Sequence, residues 1–220
     1  MLIRELISQS VPVLHLHDKV FNALQLMNDL HVAHLVVEEN DQFVGIVSEE
    51  HLLQAPDETI EIRELNESFP LLFVRENDHF LKGLQLAVEN RLSVVPVIGE
   101  NKELIGVVSY RELLKQASEF MNVKDPGGLL VLEMDSNNYS FSEISRLVET
   151  NDAQITQLNT YTDPDTGLMQ VTVKINKKEI SDIVATFQRY EYSIKYYFGE
   201  ELYENELRSN YDNLMNYLKI

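Results

Sequence analysis

Two stretches of this chain, 61 residues apart, share one pattern: Phe43-Val44-Gly45-Ile46-Val47-Ser48-Glu49-Glu50-His51-Leu52-Leu53 and Leu104-Ile105-Gly106-Val107-Val108-Ser109-Tyr110-Arg111-Glu112-Leu113-Leu114. In each, an apolar pair enters a glycine, two β-branched residues leave it, and a serine starts a new amphipathic run. That order reads as strand, serine N-cap, helix. The duplication reaches further back. Ile3-Arg4-Glu5-Leu6 returns as Ile62-Arg63-Glu64-Leu65, Val11-Pro12-Val13-Leu14 is echoed by Phe69-Pro70-Leu71-Leu72, and Ala23-Leu24-Gln25-Leu26 by Gly83-Leu84-Gln85-Leu86. A period of roughly sixty residues present only twice does not make a solenoid, which needs at least about three units. It predicts two halves closed on each other.

Within the first copy, Val20, Ala23, Leu24, Met27 and Leu30 recur at helical spacing. The β-branched runs Leu35 to Val37 and Phe43 to Val47 flank the polar Glu38-Glu39-Asn40-Asp41, a hairpin loop. The second copy repeats this with Phe80, Leu81, Leu84, Val88 and Leu92, then Val94 to Ile98 and Leu104 to Val108. Each repeat is therefore expected to be β-α-β-β-α. On the strength of Pro96-Val97-Ile98, Leu104 to Ser109 and Val44 to Ser48, residues 1 to about 120 resemble a tandem pair of cystathionine-β-synthase-type (CBS) motifs, a CBS pair.

At Lys124-Asp125-Pro126-Gly127-Gly128 the pattern changes, and proline with paired glycines marks a boundary. Beyond it the expected elements are strand Leu129 to Met134, helix Ser140 to Thr150, strand Gln154 to Tyr161, strand Met169 to Ile175, helix Lys178 to Tyr190 and strand Tyr192 to Phe198. The order βαββαβ is the split βαβ of ferredoxin-like domains, and it is similar to an ACT-type regulatory domain. CBS pair followed by ACT-like domain is similar to the acetoin-utilisation B type of protein. The fold class expected is thus α+β: CBS repeats over residues 1–61 and 62–124, an ACT-like domain over 125–199, and a C-terminal helix over 200–220. That helix rests on Tyr203, Leu207, Tyr211, Leu214 and Leu218, one apolar stripe, expected to pack on its own domain rather than in a coiled coil.

Charge narrows the partners. A net charge of −18 makes nucleic acid and anionic membrane poor ones. No apolar run reaches membrane-spanning length, and Met1-Leu2-Ile3-Arg4-Glu5 does not lead into a secretory core, so a cytoplasmic location is expected. Zero cysteines exclude thiol chemistry. No Walker loop, Gly-x-Ser-x-Gly elbow or Rossmann fingerprint is present, and the expectation is a protein that is not an enzyme. All six histidines precede residue 80, but without cysteine or a His-Glu-x-x-His helix no metal site is expected.

In CBS proteins the segment after the glycine strand usually reads Ser/Thr-x-x-Asp, with the hydroxyl on a nucleotide phosphate and the carboxylate on the ribose diol. The resemblance therefore implies an adenosine nucleotide as ligand, with no cofactor required. Here the copies read Ser48-Glu49-Glu50-His51 and Ser109-Tyr110-Arg111-Glu112. Glu112 keeps a pair of acceptors and His51 does not, so the second site is the better one. The implied contacts are Ser109 and Arg111 at phosphate, Glu112 at ribose, Val95 and Val97 around adenine, and Ser48 in the weaker copy; Arg91 is a further phosphate candidate. Ser109 and Glu112 also read as a plain capping box, a reading the sequence leaves open. In the ACT-like part, Asp135-Ser136-Asn137-Asn138-Tyr139-Ser140 lacks a glycine and carries Tyr139, which disfavours amino-acid binding and reads as helix capping. Together these readings imply a homodimeric regulatory sensor acting on an unidentified partner. The alternative is an interaction scaffold with degenerate sites.

Overall fold

The computed structural model describes residues 1–8, 11–65 and 69–199. The chain divides between Phe120 and Met121 into two compact units. The apolar stripe from Tyr203 to Leu218 lies outside the described residues.

In the first unit a 3-10 turn, Ile3–Leu6, precedes β1 (Val13–His15), α1 (Val20–Leu30), β2 (His34–Glu39), β3 (Gln42–Ser48) and α2 (Glu49–Leu53). The series repeats as a 3-10 turn, Ile62–Leu65, then β4 (Val74–Arg75), α3 (Phe80–Glu89), β5 (Val94–Ile98), β6 (Leu104–Ser109) and α4 (Tyr110–Phe120). Each copy forms a three-stranded sheet, in the orders β1-β2-β3 and β4-β5-β6. The first two strands are parallel and the hairpin antiparallel, and the hairpin bulges at the same place in both copies, Val37/Glu38 and Val97/Ile98.

The opening segments are exchanged. Ile3 is fully buried with Val74, Ala87, Val95, Val97 and Leu113, the core of the second copy, whereas Ile62 is buried with Leu14, Val20, Met27 and Leu35, the core of the first. Backbone bonds follow the same exchange: Ile3 N–H donates to the Asp78 carbonyl at 2.8 Å and Ile62 N–H to that of Asp18 at 2.9 Å. Neither α1 nor α3 depends on a strong side-chain cap. Instead the Ile60 carbonyl accepts from Val20 N–H and the Met1 carbonyl from Phe80 N–H, satisfying amides that a helix start leaves without partners.

After each 3-10 turn the chain crosses the outer strand of its partner copy at a glycine. Ser8 N–H donates to the Val107 carbonyl, and Ile46 N–H to that of Pro70. A Cβ on Gly106 would overlap Cγ2 of Ile7, and one on Gly45 would overlap Cβ of Phe69. Phe69 is therefore the structural counterpart of Ile7, and strand register pairs Leu14 with Val37 as it pairs Val74 with Val97. The sequence echo between Val11-Pro12 and Phe69-Pro70 is thus not a spatial equivalence, because the segment from the crossing to the first strand is shorter in the second copy.

The second unit has β7 (Gly128–Met134), α5 (Phe141–Glu149), β8 (Ile155–Thr162), β9 (Met169–Ile175), α6 (Ser181–Arg189) and β10 (Ser193–Phe198). The sheet order is β10-β7-β9-β8 and all pairs are antiparallel, the ferredoxin-like arrangement that βαββαβ predicts. Alternation sorts the faces. Leu130, Leu132, Val171, Val173 and Ile175 are buried together with Ile144, Leu147, Val148, Ile183 and Phe187 of the two helices. Among the described residues no helix is long and apolar enough to cross a membrane.

Candidate functional site

β6 delivers Ser109 to the first turn of α4. Its Oγ accepts from the Glu112 N–H at 3.2 Å, as Ser48 Oγ accepts from His51 N–H at 3.2 Å in the first copy. Both serines are true N-caps. The other half of a capping box is not formed, since among the described residues the Glu112 carboxylate accepts no hydrogen bond, from the Ser109 amide or from anything else. Capping therefore accounts for the serine and leaves the carboxylate unexplained.

Glu112 lines a cleft of about 450 Å³, a volume within the range of small-molecule sites. From the second copy come Ser93, Ser109, Tyr110, Arg111 and Leu114; from the first come Val11, Leu30, His31 and Val32. One wall is thus apolar, and the other offers a carboxylate, a guanidinium and hydroxyl groups. Arg111 makes no ion pair with any described residue. His31 is placed by the left-handed conformation that closes α1, φ 54°, and Arg91 by the same conformation after α3. Arg91 lines an adjoining cavity that shares Ser93 and Tyr110 with the cleft.

Val95 and Val97 do not line the cleft. Both are fully buried on β5, in the core with Ile3, Val74 and Val108. The structure thus does not bring them together with Ser109, Arg111 and Glu112: a run buried on both faces of its sheet turns no side chain into this cleft. Val11, Leu30, Val32 and Leu114 supply the apolar surface instead. Ser48 lies apart from this cleft, in the first copy, where His51 stands in the place of Glu112. Its ring packs edge-on against Phe69 with centroids 5.8 Å apart, so that copy has an aromatic contact where the second has an open carboxylate.

Sequence reasoning missed Ser93, Tyr110, His31 and the apolar wall. Ser93 had a signal in the repeat itself, standing where the first copy has Ala33. Its hydroxyl accepts from the Ala33 N–H at 3.0 Å, and its N–H donates to His34 Nδ1 at 3.3 Å, so it ties the two copies together beside the cleft. Burial holds the pKa of His34 below its ordinary 6.5. The unfolded chain then takes up that proton first. The stability this histidine contributes is complete above about pH 6.5 and falls as pH drops toward its folded-state pKa. Urea melts between pH 7.5 and 5.5 are expected to lose stability in that window, and His34→Gln to flatten the loss; an identical slope in both proteins would contradict it.

His15 and His17 stack with centroids 5.5 Å apart, and His15 Nδ1 lies 3.7 Å from Glu38 Oε1. Among the described residues no three ligand-type side chains are grouped to hold a metal. In the second unit, Asp135 Oδ1 accepts from Asn137 N–H and Ser140 Oγ from Glu143 N–H, the capping expected of that loop. Tyr139 is half-buried and packs against the core.

The sequence profile of the CBS domain matches residues 3–58 and 62–119, just over half of the chain. The chain belongs to the CBS-domain family. CBS pairs are regulatory, ligand-sensing modules. A stretch of 146 residues, 66% of the chain, is 23% identical to an inosine-5'-monophosphate dehydrogenase of Methanocaldococcus jannaschii, and it spans 29% of that enzyme's length. Among solved structures, a CBS domain pair/ACT domain protein from Thermotoga maritima is 26% identical, with a TM-score of 0.50 over 55% of this chain and 99% of that one. The CBS protein CBSX2, crystallised with AMP, is 22% identical with a TM-score of 0.46, over 54% of this chain and 97% of that one.

Proposed function

We propose that this CBS pair is a sensor of an adenosine nucleotide, bound in the cleft of the second repeat, with the monophosphate preferred. The observation that carries the reading is the Glu112 carboxylate, which lines a cleft beside Ser109 and Arg111 and takes no part in capping its own helix. A carboxylate accepts from both hydroxyls of a ribose, a guanidinium and a serine hydroxyl suit a phosphate, and the wall of Val11, Leu30 and Val32 suits a base. Residues 1–124 carry ten basic against twenty acidic side chains, so each added phosphate meets more repulsion than attraction. Calorimetric titration with AMP, ADP and ATP tests this. Saturable heat is expected for AMP and weaker binding for the others. Flat titrations for all three would leave the second reading, a scaffold whose sites no longer bind.

The domain plan that goes with this reading is 1–61 and 62–124 for the repeats, 125–199 for an ACT-like domain and 200–220 for a C-terminal helix. The 4-1-3-2 strand order supports the ACT-like assignment. Occupancy of the cleft would pass to that domain and on to a partner in the cytoplasm, with no reaction catalysed, in a chain whose domain order resembles the acetoin-utilisation B type. We also expect a homodimer formed through the helices of the CBS pair. Phe21, Leu81, Val88, Leu114 and Phe120 are exposed on α1, α3 and α4, apolar side chains that a symmetric contact would take out of water. Sedimentation at micromolar concentration should give twice 25.4 kDa, and a monomer would defeat this.

A further inference from the structure

On the helix-free face of the second unit's sheet, residues 121–128 roof a cavity of about 340 Å³. The roof is fastened at both ends. Lys174 Nζ donates to the Asn122 carbonyl, and the backbone at Gly127 lies so close to the Ile175 carbonyl that no Cβ would fit between them. The floor is a polar square on β8 and β9, where Gln157 pairs in register with Lys174 and Asn159 with Thr172. Met121, Val123 and Leu129 form an apolar wall, and Asp125 stands at the rim.

Lys174 is the unusual member. Its side chain is half-buried and, among the described residues, no carboxylate comes within ion-pair distance of it. A carbonyl satisfies one N–H but does not neutralise the charge, and a desolvated ammonium without a counter-ion is costly. The side chains of Gln157, Asn159 and Thr172 make no hydrogen bond to any described residue. An ammonium, two amides and a hydroxyl thus face one space as donors in a chain of charge −18. Asp125 repels a second negative charge, and the apolar wall favours a short hydrocarbon.

We infer that this cavity binds a small monocarboxylate with a short apolar chain, its carboxylate paired to Lys174. The site is separate from the nucleotide cleft and does not depend on the reading of that cleft. A simple carboxylic acid and an amino acid share this chemistry, the latter with its ammonium on Asp125.

Amide spectra of the full-length protein, titrated with 3-methylbutanoate, 3-methylbutan-1-ol and L-leucine, test it. The acid should move the amides of Gly128, Leu129 and Thr172 and saturate near millimolar concentration, and the alcohol should bind at least about tenfold more weakly. Lys174→Met should weaken the acid at least about tenfold and Lys174→Arg should keep most of it. Thr172→Val, which leaves the Lys174–Asn122 bond in place, should weaken it about fivefold. Tighter binding of leucine than of the acid supports the pairing and adds Asp125 to it; weaker binding supports a simple acid. No shift up to about 50 mM acid, equal binding of the alcohol, or undiminished affinity in both Lys174→Met and Thr172→Val would overturn the inference.

Discussion

Gly45→Val is expected to destabilise the first unit more than Gly106→Val, and both far more than Ser109→Ala. At Gly106 a new Cβ meets only side-chain atoms of Ile7, its Cγ2 foremost, so a change of rotamer can relieve part of the overlap. At Gly45 it meets Phe69 at its Cβ and, at 3.1 Å, its backbone carbonyl, so the crossing segment itself must move. The backbone at Gly45 also has φ +157°, an angle that β-branched residues adopt poorly. Overpacking costs about 1 to 3 kcal/mol, and backbone displacement adds to it. Removing the Ser109 hydroxyl costs about 1 kcal/mol, the worth of one N-cap. Urea melts of the three variants provide the check, and equal losses would mean that the crossing segments do not lie over the glycines.

Glu112→Gln should weaken AMP by about 1 to 3 kcal/mol, roughly fivefold to 150-fold, with stability nearly unchanged. The substitution keeps size and stem but replaces a two-oxygen acceptor with an amide that can accept at only one atom. Because the carboxylate makes no hydrogen bond to any described residue, its loss orphans none of them. Binding and stability therefore separate in this variant. Calorimetry and urea melts on the same preparations distinguish them; a fall in stability with binding intact would make Glu112 a capping residue and nothing more.

Much of the architecture was legible because it is written as period and repetition. The two serine caps, both hairpins and the six elements after Gly128 lie within a few residues of where alternation and helical spacing put them. Ser109, Arg111 and Glu112 were legible as a local motif, and the fold brings them into one cleft. What could not be read was anything decided by the meeting of the two copies. Val95 and Val97 looked like a base-binding strand because burial on one face and on both faces leaves the same apolar run. His31, Val32 and Ser93 reach the cleft only because the ends of α1 and α3 come together there, which no spacing along the chain encodes. The shift of Phe69 from partner of Val11 to partner of Ile7 is of the same kind. Identity at two positions suggested one alignment, and packing over a glycine selected another.

The exchange of Ile3 and Ile62 makes the repeat a unit of sequence but not a unit of folding. Each fully buried isoleucine contributes about 2 kcal/mol to a core that its own copy does not own, together with the backbone bonds that close the start of the other copy's helix. A single motif cut from this chain would leave α1 or α3 without its backbone cap and a hole where the isoleucine stood. Such a fragment has a ready complement in another copy of itself, whose loose opening segment fits the vacancy. Duplication within one chain thus turns what would be an encounter between two molecules into an intramolecular closure, and lets the two copies diverge. One can keep Glu112 while the other carries His51 against Phe69, a division of labour closed to a symmetric pair of identical motifs.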